Sequence, residues 1–130
     1  MHLLFLFAAL SCPPLDQTTV EGALGKVELA VTDKSCVFTN GDYQLKLQMT
    51  KLSSAREFAH YLEMACQNGS DVTPVTAIGN EAVACTVEGT DKIVARVRNQ
   101  AFTLSLTATD KKPLRDVNHL FAEQVAGNLF

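Results

Sequence analysis

The chain has 130 residues, 47% of them hydrophobic, and a formal net charge of −3 at pH 7. This length suits one domain with a single core, and the composition is typical of an ordered globule rather than a disordered segment. The small acidic excess gives no basic face for nucleic acid, and no apolar run is long enough to predict a membrane span.

An eight-residue apolar run at the N-terminus is typical of the hydrophobic region of an export signal. Ala9 and Ser11 are the small residues expected three and one positions before a cleavage site, which would leave Cys12 first. No Lys or Arg precedes the run, so the alternative is that this segment belongs to the domain. We predict an export signal or its truncated remnant over residues 1–11, and a single domain over residues 12–130.

The first half of the domain predicts two helices on either side of three strands. A short amphipathic pattern indicates a helix over residues 17–24, and alternating apolar residues indicate strands over 26–31, 35–39 and 43–51. A capping box then opens a second helix over residues 54–68.

The second half repeats this pattern after a linker with a proline, residues 70–76. A strand is predicted over residues 81–87, followed by a hairpin over 92–109 with Asn99-Gln100 as its turn. The last segment has apolar residues at helical spacing and predicts a C-terminal helix.

Residues 40–60 align without a gap to residues 99–119, with six identical positions. This match predicts an internal duplication with half-units at about 15–69 and 74–130; the alternative is a rough likeness shared by any strand-turn-helix unit. The predicted fold is an α+β two-layer sandwich. Each half-unit would supply one helix and three strands, and a C-terminal helix would follow the second. The strands would form one antiparallel sheet of about six strands, with the helices packed on one face.

Four cysteines in an exported domain suit two disulfides, and three pairings are possible. The sequential pairing, Cys12–Cys36 and Cys66–Cys85, fits the predicted layout best because each bond would tie a helix to a strand. Two alternatives stay open: Cys12 as the site of a lipid anchor, and four reduced thiols in a cytosolic protein. Neither Cys-x-x-Cys nor His-x3-His spacing occurs, so no metal or other cofactor is expected.

Several short motifs are similar to a known pattern. The segment 12–16, with Val20 and residues 23–25, resembles the "Cys-x-x-Leu-Thr…Val…Ala-Leu-Gly" opening of exported bacterial lipoprotein domains of unknown function. In that pattern a second cysteine follows on a strand, as Cys36 does, and residues 78–82 look like its central "Gly-[Asp/Asn]-Glu-Ala" segment. The layout is also similar to the extracellular sensor domains of bacterial receptor Ser/Thr kinases. The resemblance implies export and a surface for a ligand or partner, and it supplies no catalytic residues.

One set of candidate binding residues lies on the predicted solvent-facing side of the sheet. Lys46, Arg96 and Arg98 would form a platform for an acidic ligand or partner. The alternative is an ordinary solvated sheet face.

The other set comes from the matched helices. Arg56 and His60 share one helix face, and Arg115 and His119 share another, because residues four apart are neighbours on a helix. With the duplication, they would form a twofold anion site; the alternative is a pair of solvated polar faces.

The sequence shows no nucleophile with a base, no paired carboxylates and no phosphate-binding glycine loop, so an enzyme is not expected. The leading hypothesis is an extracytoplasmic domain, secreted or periplasmic, that is stabilised by disulfides and binds or senses a small anionic ligand. The competing hypothesis is a structural or assembly accessory that docks on an envelope protein; a small hydrolase is a distant third.

Overall fold

A computed structural model of the chain describes residues 11–110, 112 and 114–130, so the predicted export segment, apart from Ser11, lies outside the described residues. The described residues form three α-helices and one antiparallel sheet of seven strands. None of these helices has the length and apolar character that crossing a bilayer requires. The combination of helices with one antiparallel sheet confirms the predicted α+β class.

The sheet order is β1-β2-β3-β7-β6-β5-β4, so the chain builds it from both edges and joins the two parts at β3 and β7. The elements in chain order are α1 (Gln17–Leu24), β1 (Glu28–Val31), β2 (Ser35–Thr39), β3 (Tyr43–Lys51), a 3₁₀ turn (Ala55–Glu57), α2 (Phe58–Ala65), β4 (Ser70–Pro74), β5 (Glu81–Val87), β6 (Thr90–Val97), β7 (Gln100–Ala108) and α3 (Arg115–Leu129).

One face of the sheet, which we call the buried face, holds the main core. Leu45 of β3 lies opposite Leu106 of β7, and this apolar layer extends to Ile93 of β6. Phe121 of α3 and Val20 of α1 pack into the same cluster, which keeps water from this face.

Alternation along β2, β3, β6 and β7 predicted this face correctly, because side chains two apart in a strand point the same way. For β5 the alternation favoured Val83, Cys85 and Val87 as the core residues, and this was wrong. Ala82 and Ala84 face the main core instead.

The prediction that all helices lie on one face is wrong for α2. Phe58 of α2 packs with Val94 and Ala101, which alternate with the buried-face residues of β6 and β7. Helix α2 therefore stands on the opposite side, which we call the polar face. The sequence did not predict the face on which α2 packs, because β5 carries apolar residues on both of its faces. One of them is Cys85, which is bonded to Cys66 at the end of α2.

The sheet has one strand more than the predicted six. Ser70–Pro74, predicted as a linker because of its proline, is the edge strand β4 and pairs with β5. A proline is tolerated there because an edge strand needs no donor on its outer side.

The hairpin turn lies one residue earlier than predicted. Val97 pairs with Gln100, so Arg98 and Asn99 form the two-residue turn, and Arg98 takes a left-handed conformation with φ 56°. The Asn80 side chain accepts the Arg98 N–H at 2.6 Å and so holds the turn at this position. The position of the turn is therefore set by this long-range hydrogen bond and not by the local Asn99-Gln100 pattern.

The structure matches the layout expected from a duplication only in part. β1-β2-β3 and β5-β6-β7 are similar antiparallel meanders, and their matched strands β3 and β7 pair side by side. The second unit, however, has the additional strand β4, and the helices that follow the two meanders pack on opposite faces. The two units are thus not equivalent in their helical layers.

A buried polar network fixes the start of α3 on the sheet. Asp91, 7% exposed, accepts hydrogen bonds from the Leu114 N–H at 2.6 Å and from the Thr86 hydroxyl at 3.2 Å. The fully buried Asn118 amide donates to the carbonyl oxygens of Asp91 and Leu104. Because buried polar groups are costly without partners, this network fixes the position of α3 as well as its stability.

Candidate ligand-binding groove

Helix α2 covers only part of the polar face and leaves a groove along its side, which we call the α2 groove. Its floor consists of Gln48 and Thr50 of β3 and Thr103 of β7, and its volume is 290 Å³. Tyr61 and Met64 of α2 form the wall, and Met64 is 58% exposed. The groove therefore combines polar groups that can orient a ligand with an apolar side chain that can pack on it.

Lys92 lies at the end of this groove and is oriented by the helix. Its ammonium donates a hydrogen bond to the carbonyl oxygen of Ala65 at 3.1 Å, at the C-terminus of α2. A cation is stabilised there because the helix dipole places partial negative charge at that end.

The Cys66–Cys85 disulfide fastens the same end of α2 to β5. Phe58 anchors the other end in a small cluster with Leu52. The wall of the groove is therefore held at both ends of a helix only eight residues long.

The wall and floor also meet through two hydroxyl groups. The oxygens of Tyr61 and Thr103 lie 2.7 Å apart and share a hydrogen bond. Burial raises the pKa of Tyr61 above its ordinary value of 10.0, although hydrogen bonds with Thr103 and Thr50 lower it in part. The neutral phenol is thus the form that the fold favours.

We expect this pKa to make the protein less stable in strong alkali. Above about pH 10 the unfolded phenol has lost its proton while the folded one keeps it, so the free energy of unfolding falls as the pH rises. Tyr61→Phe should make that fall shallower in denaturant titrations between about pH 9 and pH 11. Tyr43→Phe, on the other face of the sheet, is the control, and an equal effect from both variants would contradict this assignment.

A second hollow of 480 Å³ adjoins the α2 groove and shares Thr50, Tyr61 and Met64 with it. Lys51 and His60 lie on its rim. The two hollows together offer a longer path for a ligand beside α2, with basic groups toward both ends.

A larger hollow, 580 Å³, lies elsewhere, at the edge of the sheet beside Asn40. The Asn40 amide already donates to the carbonyl oxygens of Leu24 and Lys26, and its own oxygen accepts from the N–H groups of Asp42 and Tyr43. These polar groups hold the turn together, so this hollow is a weaker candidate for a binding site than the α2 groove.

The structure does not bring Lys46, Arg96 and Arg98 into one platform. Lys46 lies on β3, two strands and four residues along from Arg96, which is about 10 Å across and 13 Å along the sheet. Arg96 forms an ion pair with Glu81 at 2.6 Å. Arg98 sits in the hairpin turn, 6.0 Å from the centre of the Phe130 ring.

The two Arg–His pairs also lie apart, because α2 and α3 are on opposite faces. Arg56 is exposed in the 3₁₀ turn, and His60 borders the second hollow beside the α2 groove. Arg115 donates to the Thr86 hydroxyl at 3.1 Å, and His119 lies 3.8 Å from the carboxylate of Glu123. Of these four residues, only His60 reaches the hollows beside α2.

Sequence reasoning missed three residues that the structure brings to the groove: Tyr61, Lys92 and Thr103. Strand alternation does place Lys92 and Thr103 on the solvent side, so this signal was available. Alternation does not give the strand register or the face on which α2 packs, and both are needed to recognise a groove.

The sequential cysteine pairing is confirmed, with Cys12 bonded to Cys36 and Cys66 bonded to Cys85. Since the Cys12 sulfur is in a disulfide, the same atom cannot also carry a lipid. Two disulfides indicate an oxidising, extracytoplasmic environment. The fold and the groove thus define a small, disulfide-stabilised α+β domain with one side of its sheet partly open.

Comparison with protein-family models, curated proteins and solved structures finds no match to this chain.

Proposed function

We propose that the protein is an exported, secreted or periplasmic, binding domain that takes a small ligand into the α2 groove and performs no catalysis. The observation that carries this proposal is the half-covered floor of the groove. Thr50 and Gln48 are exposed beside an apolar wall formed by Met64 and Tyr61. The resemblance to exported lipoprotein-type domains agrees with this assignment.

The size of the site supports a small ligand rather than a protein surface. The α2 groove measures 290 Å³, at the lower limit of the range of about 300–1,000 Å³ typical of small-molecule sites, and the hollow beside it, 480 Å³, lies within that range.

The charges around the site support a negatively charged ligand. Lys92 stands at one end, and Lys51 and His60 border the other. The carboxylate among these lining residues, Glu57, is engaged by the Ser53 N–H at 2.6 Å. Glu57 keeps its negative charge and offsets that of Lys51, so a carboxylate-bearing or phosphate-bearing ligand would be attracted mainly to the Lys92 end of the site.

An envelope accessory that docks by a flat apolar patch is the weaker candidate. Within the described residues, the large exposed apolar side chains lie on different elements: Val31 on β1, Met64 on α2, Val72 on β4, Leu120 on α3 and the C-terminal Phe130. Apolar residues scattered in this way are normal for a soluble surface and do not indicate docking.

A tryptophan placed in the groove tests the proposal. Gln48 lines the groove, whereas Gln44 is also exposed on the same strand and face but lies outside it. We expect benzoate, an apolar ring with one negative charge, to bind weakly and to shift the amide signals of Gln48, Thr50 and Tyr61 in ¹⁵N NMR titrations. Gln48→Trp should weaken this binding at least about fivefold by filling the space, and Gln44→Trp should not.

Shifts confined to another surface, or equal effects of the two tryptophans, would overturn the proposal. Both substitutions are at exposed positions, so the melting temperature should stay close to that of the parent protein and confirm that the variants fold.

A further inference from the structure

Strand register brings two lysines into one row on the polar face. Lys46 of β3 lies opposite Ser105 of β7, and Ser105 lies opposite Lys92 of β6. Neighbouring strands are about 4.8 Å apart, so the two lysine backbones are about 10 Å apart with the serine midway. Both side chains are long enough to place their ammonium groups above the Ser105 hydroxyl.

The rows on either side of these residues are rich in hydroxyl groups. Thr103 shares its hydrogen bond with Tyr61, and Thr107 lies 2.8 Å from the hydroxyl of Thr90. The polar-face positions of β3, β6 and β7 in these rows contain no acidic residue. This central part of the face thus has donors and positive charge without a negative partner.

Neither lysine has a carboxylate partner within the part of the chain that the structure describes, where the ion pairs are Arg96–Glu81, Lys112–Asp110 and His119–Glu123. Two unneutralised ammonium groups in one row repel each other, and an anion between them would remove that repulsion. Lys92 uses one of its three donors on Ala65, which orients it and leaves two donors free.

We propose that Lys46, Ser105 and Lys92 form a subsite for a tetrahedral oxyanion, the phosphate or sulfate group of a small ligand. Because Lys92 also lines the α2 groove, the rest of the ligand would lie along Tyr61 and Met64; this second part rests on the proposed function, whereas the anion subsite does not.

The donors favour a phosphate or sulfate over a carboxylate. Two lysines and a serine hydroxyl supply six N–H or O–H donors after the bond to Ala65 is counted. A tetrahedral oxyanion offers three or more oxygens and up to two negative charges to such a set. A carboxylate offers two oxygens in one plane, which match the fork of an arginine better than separate ammonium groups.

The test uses inorganic phosphate and sulfate as probes of the full chain. In ¹⁵N NMR titrations at constant ionic strength, each should shift the amide signals of Lys46, Ser105 and Lys92, and chloride should not. Lys46→Gln removes one ammonium group and should weaken phosphate binding about tenfold. Lys34→Gln makes the same charge change in an exposed turn and should leave the affinity within about twofold.

Two results would overturn the subsite: no shift at these three amides with either probe, or equal losses in Lys46→Gln and Lys34→Gln. An unchanged melting temperature of Lys46→Gln would show that a loss of binding is not a loss of folding.

The source of the anion is distinguished by comparing glucose 6-phosphate, glucose 6-sulfate and glucose. Tighter binding of one ester than of its inorganic anion would identify a phosphate or a sulfate ester as the ligand class, and glucose alone should not bind.

The anion subsite and the α2 groove can be tested independently. Phosphate binding that survives Gln48→Trp, together with no benzoate binding, would retain the subsite and reject the groove. Benzoate binding without phosphate binding would do the reverse.

Discussion

Replacing Asp91 with alanine is expected to lower the free energy of unfolding by about 3 kcal/mol, because it removes a buried acceptor that two groups share. The Leu114 N–H and the Thr86 hydroxyl both donate to this carboxylate. Without it, the partly buried N–H at the start of α3 would lose its acceptor, and an unsatisfied group costs up to about 1–3 kcal/mol when it is buried. The loss should be measured by urea denaturation at neutral pH.

Two further variants separate the hydrogen bonds from a general charge effect. Asp91→Asn retains one acceptor oxygen and should lose less stability than Asp91→Ala. Asp33→Ala removes an exposed carboxylate in the turn between β1 and β2 and should change the free energy of unfolding by no more than about 0.5 kcal/mol. A similarly small change in Asp91→Ala would show that the α3 start is held by apolar packing alone.

Removing the Cys66–Cys85 disulfide is expected to cost about 3 kcal/mol and to release α2 from the sheet. The bond closes a loop between residues 19 apart in sequence, and the loop-entropy model assigns about 3 kcal/mol to a loop of this size. Because Phe58 is the one α2 residue that is fully buried, the helix has little other packing to hold it. In Cys66→Ala/Cys85→Ala, the α2 amides should exchange with deuterium at least about tenfold faster, and benzoate binding should weaken.

The matched control is Cys12→Ala/Cys36→Ala. That disulfide joins residues 24 apart, so its loss should destabilise the protein by a similar amount, about 3 kcal/mol. It lies in the core of the buried face, away from α2, and should leave the exchange of α2 amides and benzoate binding nearly unchanged. Unchanged α2 exchange in the Cys66–Cys85 variant would show that packing rather than the covalent bond positions the groove wall.

Each face of the sheet thus has one disulfide that fastens a neighbouring segment to it. Cys12–Cys36 fastens the segment before α1 to β2 on the buried face, and Cys66–Cys85 fastens α2 to β5 on the polar face. A domain of this size gains most from such bonds where a helix has little apolar area to bury, as α2 does.

The sequence by itself determined the parts of the fold that depend on local patterns. Period-two alternation gave β3 and β7 and placed Leu45 and Leu104 on one face, where both are fully buried. Helical spacing and a terminating glycine gave α1 with its observed bounds. The even number of cysteines predicted two disulfides, and the predicted layout favoured the sequential pairing that the structure shows. The strands, the helix and the number of disulfides depend on neighbouring residues or on a simple count, so a single sequence contains enough information for them, whereas the pairing also required the predicted layout.

Tertiary structure alone decided the side of the sheet on which α2 packs, the additional strand β4 and the row formed by Lys46, Ser105 and Lys92. Each depends on which residues of distant strands lie opposite one another, and that register is set by packing across the whole sheet. β5 is apolar on both faces, so its alternation could not choose a side for α2. The fold class follows from the pattern of side chains along the chain, whereas the candidate site follows from contacts between segments that lie far apart in it.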